Sequence, residues 1–318
     1  MNLALELPEK PMSPARHPQT LRQPVTLEGH GLHSNRPCRV TIRPVEHATG
    51  LQFLHAPTGT LIPARVEHVR DLSLATTLGR DGICLSTVEH LLAALAGLEI
   101  EHAIIEVDGT ELPILDGSAA PWVQALQEAG TRVIPGPRRL IRMLRPVEIQ
   151  KDGKWMRISP YPGLRLRYTI DFDHPAIGRQ TRELTLTPEK FQRELGSART
   201  FCMERDIEYM RSKGLALGGS LDNAVVFSAT GPLNETLRFE DEAVRHKMLD
   251  LVGDLALLGA PVLGLVEGHA AGHAMHVALV QAVLADTTAW TWQEEGEKAA
   301  PAHLGFPHGI AAAHPLSA

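Results

Sequence analysis

The chain of 318 residues is poor in cysteine: Cys38, Cys84 and Cys202 are an odd number with no C-x-x-C spacing. That excludes a disulfide framework and a thiolate metal centre, and fits a reducing compartment. Aromatic residues are scarce at 4%, so the core must be aliphatic; with 43% hydrophobic and 21% charged residues the composition is that of a folded globular protein rather than a disordered one. Positive charge is also short, with Lys plus Arg at 31 against Asp plus Glu at 37 and a net charge of −6. This disfavours a surface built to track a nucleic-acid backbone, and no nucleic-acid partner is expected. The longest uncharged run, Gly268 to Ala285, carries His269, His273, His276 and Gln281, which a lipid-facing helix would not tolerate. The N-terminus has no basic start and only a short apolar run, so no secretory signal is read and a cytoplasmic location is expected. Motifs are missing too: H-E-x-x-H, G-x-x-x-x-G-K-[ST], G-x-S-x-G and G-x-G-x-x-G are all absent, which removes the zincin, P-loop, hydrolase-elbow and dinucleotide readings.

What the chain does have is 16 histidines, the commonest metal ligands, and a pattern that occurs twice. The turn cluster Pro135-Gly136-Pro137 marks a boundary near residue 136. Before it, strands are read at Val40–Ile42, Gly50–Leu54 and Ile83–Leu85, then a helix over Ser86–Ala96 stopped by Gly97, a strand at Ala103–Val107 and a helix over Ser118–Glu128 with Ser118 as N-cap. After it come strands at Val147–Ile149, Arg157–Ser159 and Leu164–Asp171, a helix over Asp241–Leu258 stopped by Gly259, a strand at Val262–Val266 and a helix over Gly272–Ala285. Helix, strand, helix closes each half, which implies two α/β halves of similar topology with room for a site between them. The residues after about Asp286 show no sustained periodicity and are read as a tail.

The strongest local signal is VRHKMLDLVGD, in which His246 and Asp250 stand at i and i+4 and share one helix face, the spacing two metal ligands on a helix require. The same spacing also serves an ordinary stabilising pair. Yet apolar residues flank the face, and a buried polar pair needs partners, of which a metal would be one. Asp254 lies one turn further and about 40° round, placed to support the site rather than to ligate. In STVEHLLAALAG, Ser86-x-x-Glu89 fits a capping box; alternatively His90 is a third ligand and Glu89 a base beside it. His90, His246 and Asp250 would give zinc three ligands and an open position, the catalytic arrangement. Ligand type admits Zn²⁺ or Fe²⁺. His269 and His273 form a further i, i+4 pair, which the neighbouring glycines turn into a loop.

Taken with EGHGLHS (28–34), ELPILDGSAAPW (111–122), SARTF (197–201), RDIEYMRSKGLALGGSLDNAVVF (205–227), LRFEDEAVRHKMLDLVGDL (237–255) and GHAMH (272–276), these segments resemble the zinc-dependent UDP-3-O-acyl-N-acetylglucosamine deacetylases of lipid A biosynthesis over roughly residues 20–290. The resemblance implies an α+β fold of two similar β-α-α-β sandwich domains with the active site between them. It divides the chain into an extension (1–18), a first sandwich domain (19–136), a second (137–290) with an acyl-passage insert, and a tail (291–318). It implies His90, His246 and Asp250 as zinc ligands, Glu89 as general base, His273 as a second acid/base or electrostatic group oriented by Asp254, and Thr200 at the oxyanion. It implies Lys247 in substrate binding, and Phe201, Ile207, Ala216, Ser220, Leu221 and Val226 along the acyl passage. His276 departs from the family, which commonly has Asn there. The implied substrate is a UDP-linked acylated amino sugar, hydrolysed at its N-acetyl amide by a monomer that meets membrane only through the lipid chain. A zinc amidase for another acylated amino sugar is the competing reading.

Overall fold

Strict alternation builds the sheets. In Pro37–Arg43 the side chains of Cys38, Val40 and Ile42 are buried, and in Leu164–Asp171 those of Leu166, Tyr168 and Ile170, so each strand offers one face to a core. The computed structural model describes residues 17–295. Its helices are α1 (Glu89–Gly97), α2 (Ala120–Ala129), α3 (Pro188–Phe191), α4 (Glu204–Ser212), α5 (Glu242–Leu255) and α6 (His273–Ala285).

The first half carries a five-stranded sheet in the order Val25–His30, Pro37–Arg43, Ala103–Val107, Leu51–His55, Thr60–Pro63. Its central strand, Ala103–Val107, runs antiparallel to Pro37–Arg43 and parallel to Leu51–His55. The second half repeats the arrangement: Val262–His269 runs antiparallel to Lys154–Ser159 and parallel to Leu164–Asp171, and these are backed by Val147–Lys151 and Arg179–Thr185. In each half one helix precedes the central strand and another follows it, α1 and α2 in the first, α5 and α6 in the second. The repeat is thus topological, two hairpins flanking a strand that returns between them, and the fold is a two-part α+β sandwich.

After Glu89 and His90, helix α1 is apolar all round, with Leu91, Leu92, Ala93, Ala94 and Leu95 wholly buried, so it belongs inside the molecule rather than on a surface. It packs on α5 closely enough that a methyl group on Gly253 would stand 2.1 Å from the Glu89 carbonyl oxygen. Glycine is therefore the residue that lets α5 touch the start of α1. A second tie is Arg138, buried between the two halves, which bonds Glu101 after α1 and Glu295 at 3.0 Å.

Three expectations need correcting. The helix read from Ser86 begins at Glu89, and Ser86 caps nothing: its hydroxyl accepts from Thr77 at 3.0 Å. The reason is Thr87, whose φ of 59° turns the chain before the helix can start, a rare conformation for a β-branched residue. Helix α2 begins at Ala120, and the Ser118 hydroxyl bonds the Ala120 N–H at 3.1 Å without being its N-cap. Finally, regular structure continues past Asp286: Trp290–Glu295 pairs antiparallel with Arg138–Met143, and Arg139 covers the Trp292 ring at 4.3 Å. Residues 1–16 and 296–318 of the expected extension and tail lie outside the described residues. Among the described residues, no helix is long and apolar enough to cross a membrane.

Candidate active site

The start of α1, the middle of α5 and the start of α6 meet at the seam between the halves. Position along α5 decides what each side chain does there: His246, Asp250 and Asp254 follow at four-residue intervals and face α1 and α6. From α1 come Glu89 and His90, and from α6 comes His273, which begins that helix directly after Gly272.

His90, His246 and Asp250 place one donor atom each within 4.8 Å of one another. Asp250 Oδ1 lies 3.2 Å from His246 Nε2 and 3.7 Å from His90 Nε2. Tetrahedral zinc with N and O ligands near 2.05 Å has edges of roughly 3.3 Å. The chemistry of the donors agrees. His246 donates its Nδ1–H to the Ala198 carbonyl at 3.0 Å, which leaves the Nε2 lone pair for the site. Burial holds His90 neutral, pushing its pKa down to about 3 with help from His246, and burial lowers His246 as well. Burial opposes the charge of Asp250, but the facing His246 and Lys247 outweigh it and hold the carboxyl well below its ordinary range. Lys247 donates to Asp250 Oδ2 at 2.9 Å, whereas Oδ1 is buried with no hydrogen-bond partner among the described residues. An ionised, buried oxygen without a donor is costly. A cation between the three groups removes that cost, so the set fits a divalent metal with an open position.

A second group, Asp254 with His273 and His276, also lies within metal-binding reach. Its donors are already occupied. Asp254 accepts from Thr76 Oγ1 at 2.6 Å and from His273 and His276 at 2.8 Å each, so this is a hydrogen-bond network and not a vacant cage.

Glu89 is 3% exposed; its Oε2 accepts from the Thr76 N–H at 3.0 Å and its Oε1 lies 3.9 Å from His273 Nε2. Burial raises its pKa to about 7 against the pull of His273, near the optimum for a base working at neutral pH. For His273 burial is outweighed by Asp254 and Asp250, and the imidazole is held up at about 9. A base and a cationic acid therefore face the same space.

That space is a cavity of about 240 Å³ bordered by Glu89, His90, Thr200, His246, Lys247, Asp250 and His273. Thr200 has its N–H bonded to Gly117 and its C=O to Val225, both at 2.8 Å, which fixes its backbone at the cavity wall. Through Thr200 and Phe201 the cavity adjoins a second, largely apolar one of about 300 Å³, bordered by Ile207, Ala216, Ser220, Leu221 and Val226. Every expected site residue borders one of the two, except Asp254, which lies wholly buried behind His273.

A family model for UDP-3-O-acyl N-acetylglycosamine deacetylases matches residues 18–285. The chain belongs to this family. The deacetylase from Anaeromyxobacter dehalogenans is 48% identical over 286 residues, 89% of this chain and 93% of that protein. Those from Oleidesulfovibrio alaskensis and Haemophilus influenzae are 47% and 45% identical, covering 81% and 86% of this chain and 85% and 91% of their own lengths.

The deacetylase site also contains residues the sequence did not single out. Thr76 bridges the halves, with its N–H on Glu89 and its hydroxyl on Asp254 and 3.2 Å from His273 Nδ1. No motif surrounds it, so no local signal marks it. His33 borders both cavities with a buried Nε2 that has no hydrogen-bond partner among the described residues, while its Nδ1 accepts from the Ala216 N–H at 3.3 Å. It stands in EGHGLHS, between Leu32 and Ser34, where only its polar side chain in a glycine-rich turn marks it. Glu111, which binds the backbone N–H groups of His33 and Ser34 at 2.7 and 2.8 Å, holds that loop in place. His269, which the sequence reading placed in a turn rather than in a metal pair with His273, ends its strand and stacks on Trp155 at 6.4 Å.

Proposed function

We propose that this chain hydrolyses the N-acetyl amide of a UDP-linked 3-O-(3-hydroxyacyl)-N-acetylglucosamine, releasing acetate and the free amine, in the zinc-dependent deacetylation step of lipid A biosynthesis. The observation that carries this reading is the unpartnered Oδ1 of Asp250 converging with two neutral imidazoles beside Glu89, at the end of an apolar cavity that suits an acyl chain.

His90, His246 and Asp250 would hold the zinc. When bound there, zinc supplies Lewis acidity to the acetyl carbonyl and lowers the pKa of water to about 7. Glu89 takes the proton of the attacking water. The negative charge that develops on the acetyl oxygen is met by the Thr200 hydroxyl and by the cationic His273, donors already in place before reaction. As the C–N bond breaks, the amine needs a proton, and Glu89 and His273 both stand at the cavity to give it. Lys247, held by Asp250, contributes a fixed positive charge beside the Phe201 ring, 5.9 Å away, for the anionic part of the substrate. Phe201, Ile207, Ala216, Ser220, Leu221 and Val226 would line the path of the acyl chain, where each buried methylene contributes about 0.8 kcal/mol.

The division into sandwich domains near residue 136 is supported by the change of sheet there: Thr131–Val133 pairs with Gln19–Leu21, and Arg138–Met143 enters the sheet of the second half. A monomer suffices for the reading, since all the named groups come from one chain. The test is acetate release by the chelated protein before and after one equivalent of Zn²⁺. Recovery with zinc, absent in His246→Ala, is the expected result; no release from the acylated substrate under any metal overturns it.

A further inference from the structure

His273 faces the cavity, but His276, one turn along α6, does not. It is wholly buried, and so are its two partners, Asp254 and Tyr168 on the strand Leu164–Asp171. Its Nδ1 stands 2.8 Å from Asp254 Oδ2, and its Nε2 2.7 Å from the Tyr168 hydroxyl. An ionised carboxylate only accepts, so both His273 and His276 direct an Nδ1–H at the same oxygen. Neutral His276, the form burial favours, then has an accepting Nε2, and Tyr168 must donate its O–H. The hydrogen bonds have one consistent direction: Tyr168 to His276, and His276 to Asp254.

We propose that His276 and Tyr168 are positioning residues for His273, anchoring Asp254 Oδ2 from behind so that the His273 ring keeps a single orientation toward the cavity. The need for an anchor is visible in the geometry. His273 Nδ1 has two acceptors in reach, Asp254 Oδ2 at 2.8 Å and Thr76 Oγ1 at 3.2 Å, and a shift of the carboxylate would swing the ring from one to the other. With Oδ2 fixed by His276 and Oδ1 by the Thr76 hydroxyl, the carboxylate cannot rotate without breaking a buried bond, which costs the desolvation of both groups. His273 Nε2 is then held 3.9 Å from Glu89 Oε1 and 3.8 Å from Asp250 Oδ2. The inference rests on the reading that His273 takes part in the reaction.

The test compares His276→Leu, His276→Asn and Tyr168→Phe by steady-state acetate release from zinc-loaded protein and by the downfield proton resonance of His273 Nδ1–H in chelated protein. In His276→Leu, kcat falls about 10- to 100-fold, the scale for loss of an outer hydrogen-bond partner, KM changes less than twofold, and the His273 resonance moves and broadens. Asn can still donate to Oδ2, so His276→Asn recovers most of kcat and the resonance. Equal losses in the Leu and Asn variants, or an unaltered His273 resonance in His276→Leu, overturn the positioning role whatever the rate. An altered resonance with unaltered kcat also overturns it, and does so by removing His273 from the reaction. If His276→Leu does not fold, Tyr168→Phe decides: it keeps the ring and loses one hydroxyl, and unchanged kcat together with an unchanged resonance overturns the proposal.

Discussion

Asp250 and Asp254 stand one turn apart on the same helix, both almost wholly buried, and could hardly differ more in how they are satisfied. Asp254 has a hydrogen bond on every side it can use: Thr76 on one oxygen, two imidazoles on the other. Asp250 has Lys247 on one oxygen and, among the described residues, no hydrogen bond on the other, which faces the two imidazoles. The difference separates a carboxylate enclosed by hydrogen-bond donors from one whose free oxygen converges with two imidazoles. A saturated acid orders side chains; an acid left short of a donor, ringed by neutral imidazoles, holds a cation.

Substituting the first of these has the largest consequence. Asp250→Ala removes the unpartnered oxygen, and acetate release is expected to fall to background with the zinc content of dialysed protein, measured by elemental analysis. Retention of one zinc per chain in that variant would erase the contrast. Glu89→Ala leaves all three donors in place, so zinc stays bound while the rate drops about 10² to 10⁴-fold, the usual scale for a lost general base. Asp254→Asn, in the saturated position, keeps the metal too and costs about 10- to 100-fold.

The groups beside the two acids, Glu89 and His273, set the pH dependence. In the proposed mechanism Glu89 acts ionised and His273 protonated, so the rate is expected to fall below about pH 7 and above about pH 9, with a bound cation moving the lower limb further acid. Asp254→Asn takes away the charge that keeps His273 protonated, and the upper limb moves toward neutrality. A smaller effect falls on stability. The folded pKa of His273 lies above its ordinary 6.5, so its contribution is fully present below that value and is lost as pH rises through about 9. The Tm difference between the parent and Asp254→Asn should therefore narrow over that window. Gly253→Ala tests the frame shared by both acids: the added methyl meets the Glu89 carbonyl, destabilises by about 1–3 kcal/mol and should lower kcat by displacing α1 from α5.

The sequence was most informative where chemistry and geometry are local. His246 and Asp250 are legible because an α-helix turns i and i+4 onto one face, and the repeated helix, strand, helix order foretold the paired sheets. Glu89 was ambiguous, since Ser86-x-x-Glu89 has the letters of a capping box. The left-handed Thr87 delays the helix, Ser86 goes to Thr77, and the Glu89 carboxylate turns to Thr76. Nothing within a few residues encodes that choice. Thr76 and Tyr168 were invisible for the same reason, as their partners lie 178 and 108 residues away in the chain. The strand Trp290–Glu295 was missed because its partner, Arg138–Met143, is equally remote.

The metal donors are contributed in the order His90, His246, Asp250, one by the first half and two by a helix near the end of the second. No early fragment of the chain carries more than one of them. During synthesis, therefore, the growing polypeptide has no competent ion trap until α5 has emerged and docked on α1, by which time both sheets that border the seam have most of their strands. On the proposed ligand set, acquisition of the metal is a late event, and hydrolytic power arises only in a molecule whose two halves have already come together.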